Sequence, residues 1–464
     1  MRHALIGFGA LAVLVATPAG ASGPVTPPPV EHPAVIPTVQ RPAPKALSRA
    51  AATEPTAHVT PQGEAAGGHL GSAPQLPETV ERPKLFAASG TPAVMKIRAT
   101  HIEPSHPAGF DEHPPNQPSA RFAGHPATAV RTPDPTPSWL GAAPVMNSKP
   151  ALEPGPDMPV WARRAIYNPT AITAKGDSGK DVMHVFFRVE EQPAVKGGWP
   201  VSRIATATTK DGVHFSPLEL VLKPENGPPD ASGKPRWKED SVEDPRIQKI
   251  GDEYHMTYTA YNVEDRTARL SHAVSKDLKS WTKTGPVFKD GNLGIETNNS
   301  NKNWSKSGAM LDKPVNGKYL MWFGDDQVYM ATADSPSGPW TANPKPVLPT
   351  RPTFFDGVLV EPGPAPKVLK NGNILMYYNA DGNPDGYQPG WVIFSGKDPS
   401  KIVERSNTPI AGLGITQPWQ ETGQVNKVSF LSGETVFNGK QFFFTGGADT
   451  KTGVATAPIA ADVR

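Results

Sequence analysis

Carboxylate side chains next to basic ones recur in the C-terminal two thirds of the 464-residue chain. The richest example is Glu243-Asp244-Pro245-Arg246, in which two acids and a guanidinium fall within four residues. Carboxyl groups can donate and accept protons during a reaction, and a basic neighbour can orient them or hold an anion. Comparable positions in recurring segments carry the polar residues Asn168, Glu243, Asp244, Arg246, Lys306, Glu361 and Glu434. These residues can act together only if the fold brings them to one place.

The recurring segments themselves predict that fold. Strongly apolar or aromatic stretches occur at 181–190, 253–262, 318–325, 373–381 and 440–449, and their composition favours β-strands. Each is preceded by a strand with a polar start and followed by a strand of small residues, and the units repeat about every sixty residues. This order predicts an all-β fold, a five-bladed β-propeller. A β-sandwich with accidental periodicity is the alternative.

In a propeller the first strand of each blade lines the central channel, and here the first strands carry the polar residues. Polar groups packed around a narrow axis cost free energy unless they bind a polar ligand. A ring of carboxylates in such a funnel is suited to acid and base chemistry on a sugar.

The N-terminal third has a different composition. Residues 1–150 contain 26 of the 55 prolines but only 5 of the 36 aromatic residues. Residues 1–21 are typical of a secretory signal peptide, and residues 22–145 are predicted to be a disordered Pro- and Ala-rich linker, with a small hidden domain as the alternative. The propeller is then expected at 146–464. A secreted or periplasmic location follows from the signal, and no later stretch is apolar enough to cross a membrane.

Composition also excludes several classes of function. The sequence contains no cysteine, which excludes disulfides, thiolate metal sites and a cysteine nucleophile. A formal net charge of +2 argues against a dedicated nucleic-acid binder. No cofactor or metal is expected, and the oligomeric state stays open.

Ten short motifs follow one another along residues 160–460. They are Asn168-Pro169, Phe187-Arg188, Ser202-Arg203-Ile204, Asp211-Gly212, Glu243-Asp244-Pro245-Arg246, Gly285-Pro286-Val287-Phe288, Lys306-Ser307-Gly308, Val360-Glu361-Pro362-Gly363-Pro364, Tyr377-Tyr378-Asn379 and Gly447-Ala448-Asp449. Together these motifs resemble glycoside hydrolase family 130. The resemblance implies a five-bladed propeller with the activity of β-mannoside phosphorylases or β-1,2-mannosidases, and inversion at the anomeric carbon.

The resemblance also implies roles for individual residues. Asp244 matches the family's general acid, which protonates the leaving oxygen through a hydroxyl of the mannose ring. Glu361 matches the carboxylates that activate water in the hydrolases. In the fifth blade many relatives have a glutamate directly before a glycine, where this chain has Ser432-Gly433. Glu434, which directly follows that glycine, is a further candidate base. The residues expected to contact the substrate are Asn168, Arg188, Arg203, Arg246, Lys306, Asp356 and Asp449.

One departure from the phosphorylase pattern bears on the reaction. Phosphorylases of the family carry a His-Arg pair at the end of the third aromatic strand, where this chain has Trp322-Phe323-Gly324-Asp325. The change removes donors for an oxyanion, so we expect a secreted, inverting hydrolase of β-mannosides, most simply β-1,2-linked, acting on an oligosaccharide or glycan. The alternatives are a β-mannoside phosphorylase, a non-catalytic carbohydrate-binding propeller, and an arabinan- or fructan-cleaving propeller of another family.

Overall fold

The computed structural model describes residues 131–193, 200–289, 293–295, 303–382 and 385–459. The predicted signal peptide and residues 22–130 of the predicted linker lie outside the described residues, so the signal peptide and the secreted location stay predictions. Within the described ranges, no helix has the length and apolar character needed to span a bilayer.

The described residues form five antiparallel sheets, one for each predicted blade, which confirms the propeller. Blade 1 contains β2 (Ala165–Lys175), β3 (Asp181–Glu190), β4 (Ser202–Thr209) and β5 (Glu219–Leu222). Blade 2 contains β6 (Ser241–Ile250), β7 (Glu253–Asn262), β8 (Thr267–Ser275) and β9 (Thr282–Pro286). Blade 3 contains β10 (Ala309–Met310), β11 (Tyr319–Phe323), β12 (Tyr329–Ala333) and β13 (Thr341–Ala342).

Blade 4 contains β14 (Leu359–Pro362), β15 (Lys367–Val368), β16 (Ile374–Asp381), β17 (Tyr387–Phe394) and β18 (Ile402–Arg405). Both β14 and β15 pair with β16, so they are two halves of one interrupted first strand. Blade 5 contains β19 (Ser429–Phe437), β20 (Lys440–Gly447), β21 (Lys451–Pro458) and β1 (Val145–Met146). Short 3₁₀ helices lie at Ser138–Leu140, Val160–Ala162 and Pro418–Gln420.

Blade 5 is completed by the segment that precedes blade 1. Val145 pairs with Thr456 and Met146 with Ala455, so β1 forms the outer edge of the last blade and closes the ring. Closing the ring with a strand from the other end of the domain joins the first and last blades by backbone hydrogen bonds.

The core lies between neighbouring blades. Each of the five interfaces holds its own hydrophobic cluster, such as Phe187 of β3 with Phe442 and Phe444 of β20 between blades 1 and 5. The aromatic strands supply these contacts because both faces of each are buried, and a residue on either face packs against the adjacent blade. We call the end at which the first strands begin the upper face, because the polar residues of β2, β6 and β14 lie there.

The folded region begins earlier than the sequence predicts. Trp139, assigned above to the linker, is buried between blades 4 and 5, with its ring 5.9 Å from that of Tyr377 and 5.3 Å from that of Trp391, centroid to centroid. Asp134 accepts hydrogen bonds from the backbone N–H groups of Asn407 and Thr408. The average composition of the Pro-rich segment predicts disorder, but burial of the large Trp139 ring orders a short stretch at its C-terminal end.

Candidate active site

The first strands of blades 1, 2 and 3 share an unusual backbone conformation at the upper face. Asn168, Asp244 and Ser307 have φ angles of 45°, 50° and 54°, in the left-handed region. Such a conformation costs about 1–3 kcal/mol in a residue other than glycine, and a following proline, present after Asn168 and Asp244, disfavours it further. In β2 and β6 the pairing register with the next strand also shifts at this point. The kinked positions carry side chains that meet across the blades.

Asp244 lies at the centre of this meeting point and is 3% exposed. The Asn168 amide donates to its Oδ1 at 2.9 Å, and a guanidinium nitrogen of Arg188 lies 3.5 Å from the same oxygen. The Lys306 amine lies 3.9 Å from Oδ2. Blades 1 and 3 therefore both contribute groups to this carboxylate of blade 2.

Two adjacent acids divide the charge unequally. Burial alone would raise the pKa of Asp244, but Arg188, Lys306, Arg246 and the Asn168 amide hold it at about 2. Burial dominates at Glu243 and raises its pKa, although Arg188 lies 3.1 Å from one of its oxygens. The surroundings therefore favour the charged form of Asp244 more than that of Glu243.

Arg188 is oriented by a residue that the sequence analysis did not single out. Glu190 accepts from the Arg188 guanidinium at 2.9 Å, from the Ser202 hydroxyl at 3.0 Å and from the Tyr167 hydroxyl at 2.6 Å. Glu190 is 1% exposed, and burial opposes its charge while Arg188 lowers its pKa. Its position two residues after Arg188 on β3 places both side chains on the same face of the strand, and this spacing was the available signal.

Glu361 reaches the same centre from blade 4. The Ser307 hydroxyl donates to its Oε1, and the Tyr387 hydroxyl donates to its Oε2 at 2.7 Å. Arg246 lies 3.7 Å from Oε1 and donates to the backbone carbonyls of Pro362, Gly363 and Asp244 at 2.8, 3.1 and 2.9 Å. Arg246 therefore connects the strand of Asp244 to the strand of Glu361, and Ser307 and Tyr387 are additions to the predicted site.

Asp325 is a fifth acid at this centre, and it is partly buried. The Trp304 indole N–H lies 3.0 Å from each of its carboxylate oxygens. Burial raises the pKa of Asp325 to about 7, against the opposing charge of Lys306, and the charge of Glu361 adds to the rise. An acid that titrates near neutrality is suited to proton transfer. Asp325 ends the Trp322-Phe323-Gly324-Asp325 segment, which the sequence analysis identified as lacking the His-Arg pair of phosphorylases.

Two predicted site residues lie in other clusters. Asp356 is fully buried, and it pairs with Arg351 at 2.7 Å, with Arg405 at 2.6 Å and with the Tyr378 hydroxyl at 2.8 Å. The carboxylate of Glu434, 1% exposed, pairs with Lys367 and accepts from Gln441 at 2.8 Å. The structure brings neither carboxylate to Asp244.

The remaining two predicted contacts lie at the edge of the centre. Arg203 is partly buried and pairs with Glu191 at 3.1 Å. Asp449 stands in the turn between β20 and β21 with φ of 48°, and its charge contributes to the raised pKa of Tyr167, which is caused mainly by burial. In the described part of the chain, no group of three or more His, Asp or Glu side chains has the spacing of a metal site.

A family model described as β-1,4-mannooligosaccharide phosphorylase, that of glycoside hydrolase family 130, matches residues 148–462. The chain belongs to glycoside hydrolase family 130. The match spans all five blades, so the resemblance seen in the ten motifs is confirmed, and the protein is an enzyme of a family that acts on β-mannosides.

Two curated relatives from Thermoanaerobacter sp. (strain X514) are similar over the propeller. A 1,2-β-oligomannan phosphorylase is 30% identical over 315 residues, which cover 67% of this chain and 95% of the relative. A β-1,2-mannobiose phosphorylase is 28% identical over 319 residues, with the same coverage.

Solved structures of the family match at comparable identity. A glycosyl hydrolase from Bacteroides ovatus is 28% identical with a TM-score of 0.58, covering 71% of this chain and 99% of that one. A second structure is 27% identical with a TM-score of 0.57 and the same coverage. It is described as showing that the family of mannoside phosphorylases contains glycoside hydrolases that target β-1,2-mannosidic linkages in Candida mannan. The relatives' names thus favour the phosphorylase alternative over the expected hydrolase, although hydrolases occur among the structural neighbours.

Proposed function

We propose that this chain breaks β-1,2-mannosidic bonds in mannooligosaccharides with inversion at the anomeric carbon, and that Asp244 supplies the proton to the leaving oxygen. The observation that carries the proposal is the position of Asp244 on the axis, within reach of Asn168, Arg188 and Lys306 from two other blades. The linkage rests on the names of the two curated relatives and of the structure described for Candida mannan.

Asp244 must gain a proton before it can act as an acid. With a pKa of about 2 it is ionised at neutral pH before a sugar binds. A mannose ring seated against it excludes water, and desolvation raises the pKa of a carboxyl group. A ring hydroxyl that hydrogen-bonds to the carboxylate can then pass its proton to the leaving oxygen and recover one from Asp244.

Phosphate is the attacking group that the relatives support. Both curated relatives are phosphorylases, and the family model carries a phosphorylase description. Lys306 and Arg188 are the cations nearest to Asp244, and an attacking phosphate would meet their positive charge. On this ground phosphorolysis, which releases α-mannose 1-phosphate, is the first candidate reaction.

Hydrolysis is the second candidate, and the charges of the site favour it. In the cluster around Asp244 the described residues include four cations, Arg164, Arg188, Arg246 and Lys306, and five carboxyl groups, Glu190, Glu243, Asp244, Asp325 and Glu361. Arg246 donates to three backbone carbonyls and Arg188 is paired with two glutamates, so both are already engaged. Phosphate needs several fixed cationic donors, whereas Asp325 or Glu361 can accept a proton from water.

One experiment tests both the cleavage of the mannosidic bond and the identity of the attacking group. The full chain is incubated with β-1,2-mannobiose and β-1,2-mannotriose, with and without inorganic phosphate, and the products are identified by NMR. We expect cleavage in wild type and none with Asp244→Asn. A phosphate-dependent α-mannose 1-phosphate signal identifies a phosphorylase, and α-mannose formed without phosphate identifies a hydrolase. Absence of cleavage under both conditions contradicts the proposal.

A further inference from the structure

The amide of Asn168 is held tightly at the join between blades 1 and 5. Its nitrogen donates to Asp244, while its Oδ1 is buried and has no hydrogen-bond partner among the described residues. This oxygen faces Gly446 on β20, the middle strand of blade 5. The Asp244 carboxylate therefore holds the amide nitrogen of Asn168, and the space beside Gly446 accommodates the amide oxygen.

Gly446 is a glycine for steric reasons. Its φ does not lie in the left-handed region, and it pairs regularly with Phe430 and Thr452, so the backbone accepts any residue. A methyl group at this position, however, would overlap Oδ1 of Asn168 and would lie 3.0 Å from its backbone nitrogen. Real Cβ atoms scarcely approach a neighbour this closely, so the Asn168 side chain would have to move.

We propose that Gly446 is a positioning residue for Asp244: it leaves the space in which the Asn168 amide lies, and that amide orients the catalytic carboxylate. The inference rests on the proposed acid role of Asp244. Gly446 belongs to blade 5, which β1 completes, and Asn168 lies on the first strand of blade 1. The position of the Asn168 amide therefore depends on how the first and last blades pack where the ring closes.

The test compares two glycines of the same blade. Gly446→Ala pushes against Asn168. In the matched control, Gly453→Ala on β21, the new methyl group pushes against the Trp419 ring and lies 2.7 Å from the Thr445 hydroxyl, away from Asn168. A third variant, Asn168→Gly, removes the amide and tolerates the left-handed backbone. Cleavage is measured on β-1,2-mannobiose and on 2,4-dinitrophenyl β-mannoside, whose leaving group needs little protonation.

We expect Gly446→Ala and Asn168→Gly each to lower kcat on mannobiose about 100-fold, because misplacing a catalytic group by about 1 Å has this effect. On the aryl mannoside the loss should be at least about tenfold smaller than on mannobiose, because its leaving group needs little protonation. The double variant should be no slower than Asn168→Gly. Equal losses on both substrates, or an equal loss in Gly453→Ala, would mean a general disturbance of blade 5 and would overturn the inference.

A second readout does not depend on activity. The Asn168 amide stabilises the charged form of Asp244, so its displacement should raise the pKa of Asp244 in an NMR titration of Gly446→Ala and Asn168→Gly, but not of Gly453→Ala. If the pKa of Asp244 is the same in wild type and in both variants, the inference is overturned, whether or not wild type cleaves the substrates. Absence of cleavage by wild type, taken alone, contradicts only the proposed function. If Gly446→Ala unfolds, the double variant should fold again, because the severest overlap, that with the Asn168 side chain, is gone; its failure to do so also overturns the inference.

Discussion

The axial cluster around Asp244 and the blade 4 cluster around Asp356 both bury carboxyl groups, and they do so in opposite ways. Asp356 meets two guanidinium groups and a hydroxyl, all from blade 4 and the loop that leads into it. At the axis, Asp244 shares Arg188 with Glu243 and Glu190, and Asp325 accepts a hydrogen bond from the Trp304 indole N–H.

The difference teaches which cluster serves the fold and which serves a reaction. A buried acid whose cations serve no second acid is electrostatically satisfied, and removing it destabilises the blade because the cations are left unpaired. Where acids outnumber cations the pKa of some of them rises, here that of Glu243 and Asp325, and such arrangements persist where a ligand or a proton transfer needs them. Three predictions examine this contrast, and each removes one acid.

The largest effect is expected at the axis. Asp244→Asn cannot transfer a proton, so kcat/KM on β-1,2-mannobiose should fall by about 10³–10⁴-fold. Because the charged form of Asp244 is favoured in the folded protein, the free energy of unfolding should also fall, by about 2 kcal/mol. Steady-state kinetics and thermal unfolding measure the two effects. A loss of activity below tenfold would exclude Asp244 as the acid.

In blade 4 the effect should be on stability. Asp356→Asn leaves Arg351 and Arg405 without their buried partner, and breaking a buried pair costs about 3–5 kcal/mol of unfolding free energy. Below the unfolding transition, kcat should stay within about threefold of wild type. Chemical denaturation and assays at low temperature test this. An unchanged stability with a raised KM would instead support the substrate contact expected from the sequence.

The smallest effect is expected at Asp325, where the direction in which the unfolding free energy changes with pH is the specific prediction. Burial raises its pKa to about 7 from the ordinary 3.8, so the folded protein binds a proton that the unfolded chain has lost. Wild-type stability should therefore fall as the pH rises from 4 to 7, by no more than about 4 kcal/mol. Asp325→Asn has no such proton, so relative to wild type it should gain stability over this range. If the difference in unfolding free energy between Asp325→Asn and wild type is the same at pH 4 and pH 8, the raised pKa of Asp325 is refuted.

Much of the blade structure was predictable from local sequence. The predicted strands at 181–190 and 253–262 have the same bounds as β3 and β7, because every turn is marked and the apolar run fills the strand. The first strand of blade 3 was predicted less well, since β10 is only Ala309–Met310. Ser307 adopts a left-handed conformation immediately before it, and serine carries no local signal for that.

By itself, the sequence determined the number of blades, the order of their strands and the presence of Asp244 on a first strand, because repeats and strand composition are local properties of the chain. Only the tertiary structure decided which acids meet. Glu361 and Asp325 join Asp244, whereas Glu434 is paired with Lys367, 67 positions away, and Asp356 with Arg405, 49 positions away. The state of a buried carboxyl group depends on the cation that reaches it from another strand, and no spacing along the chain specifies that partner.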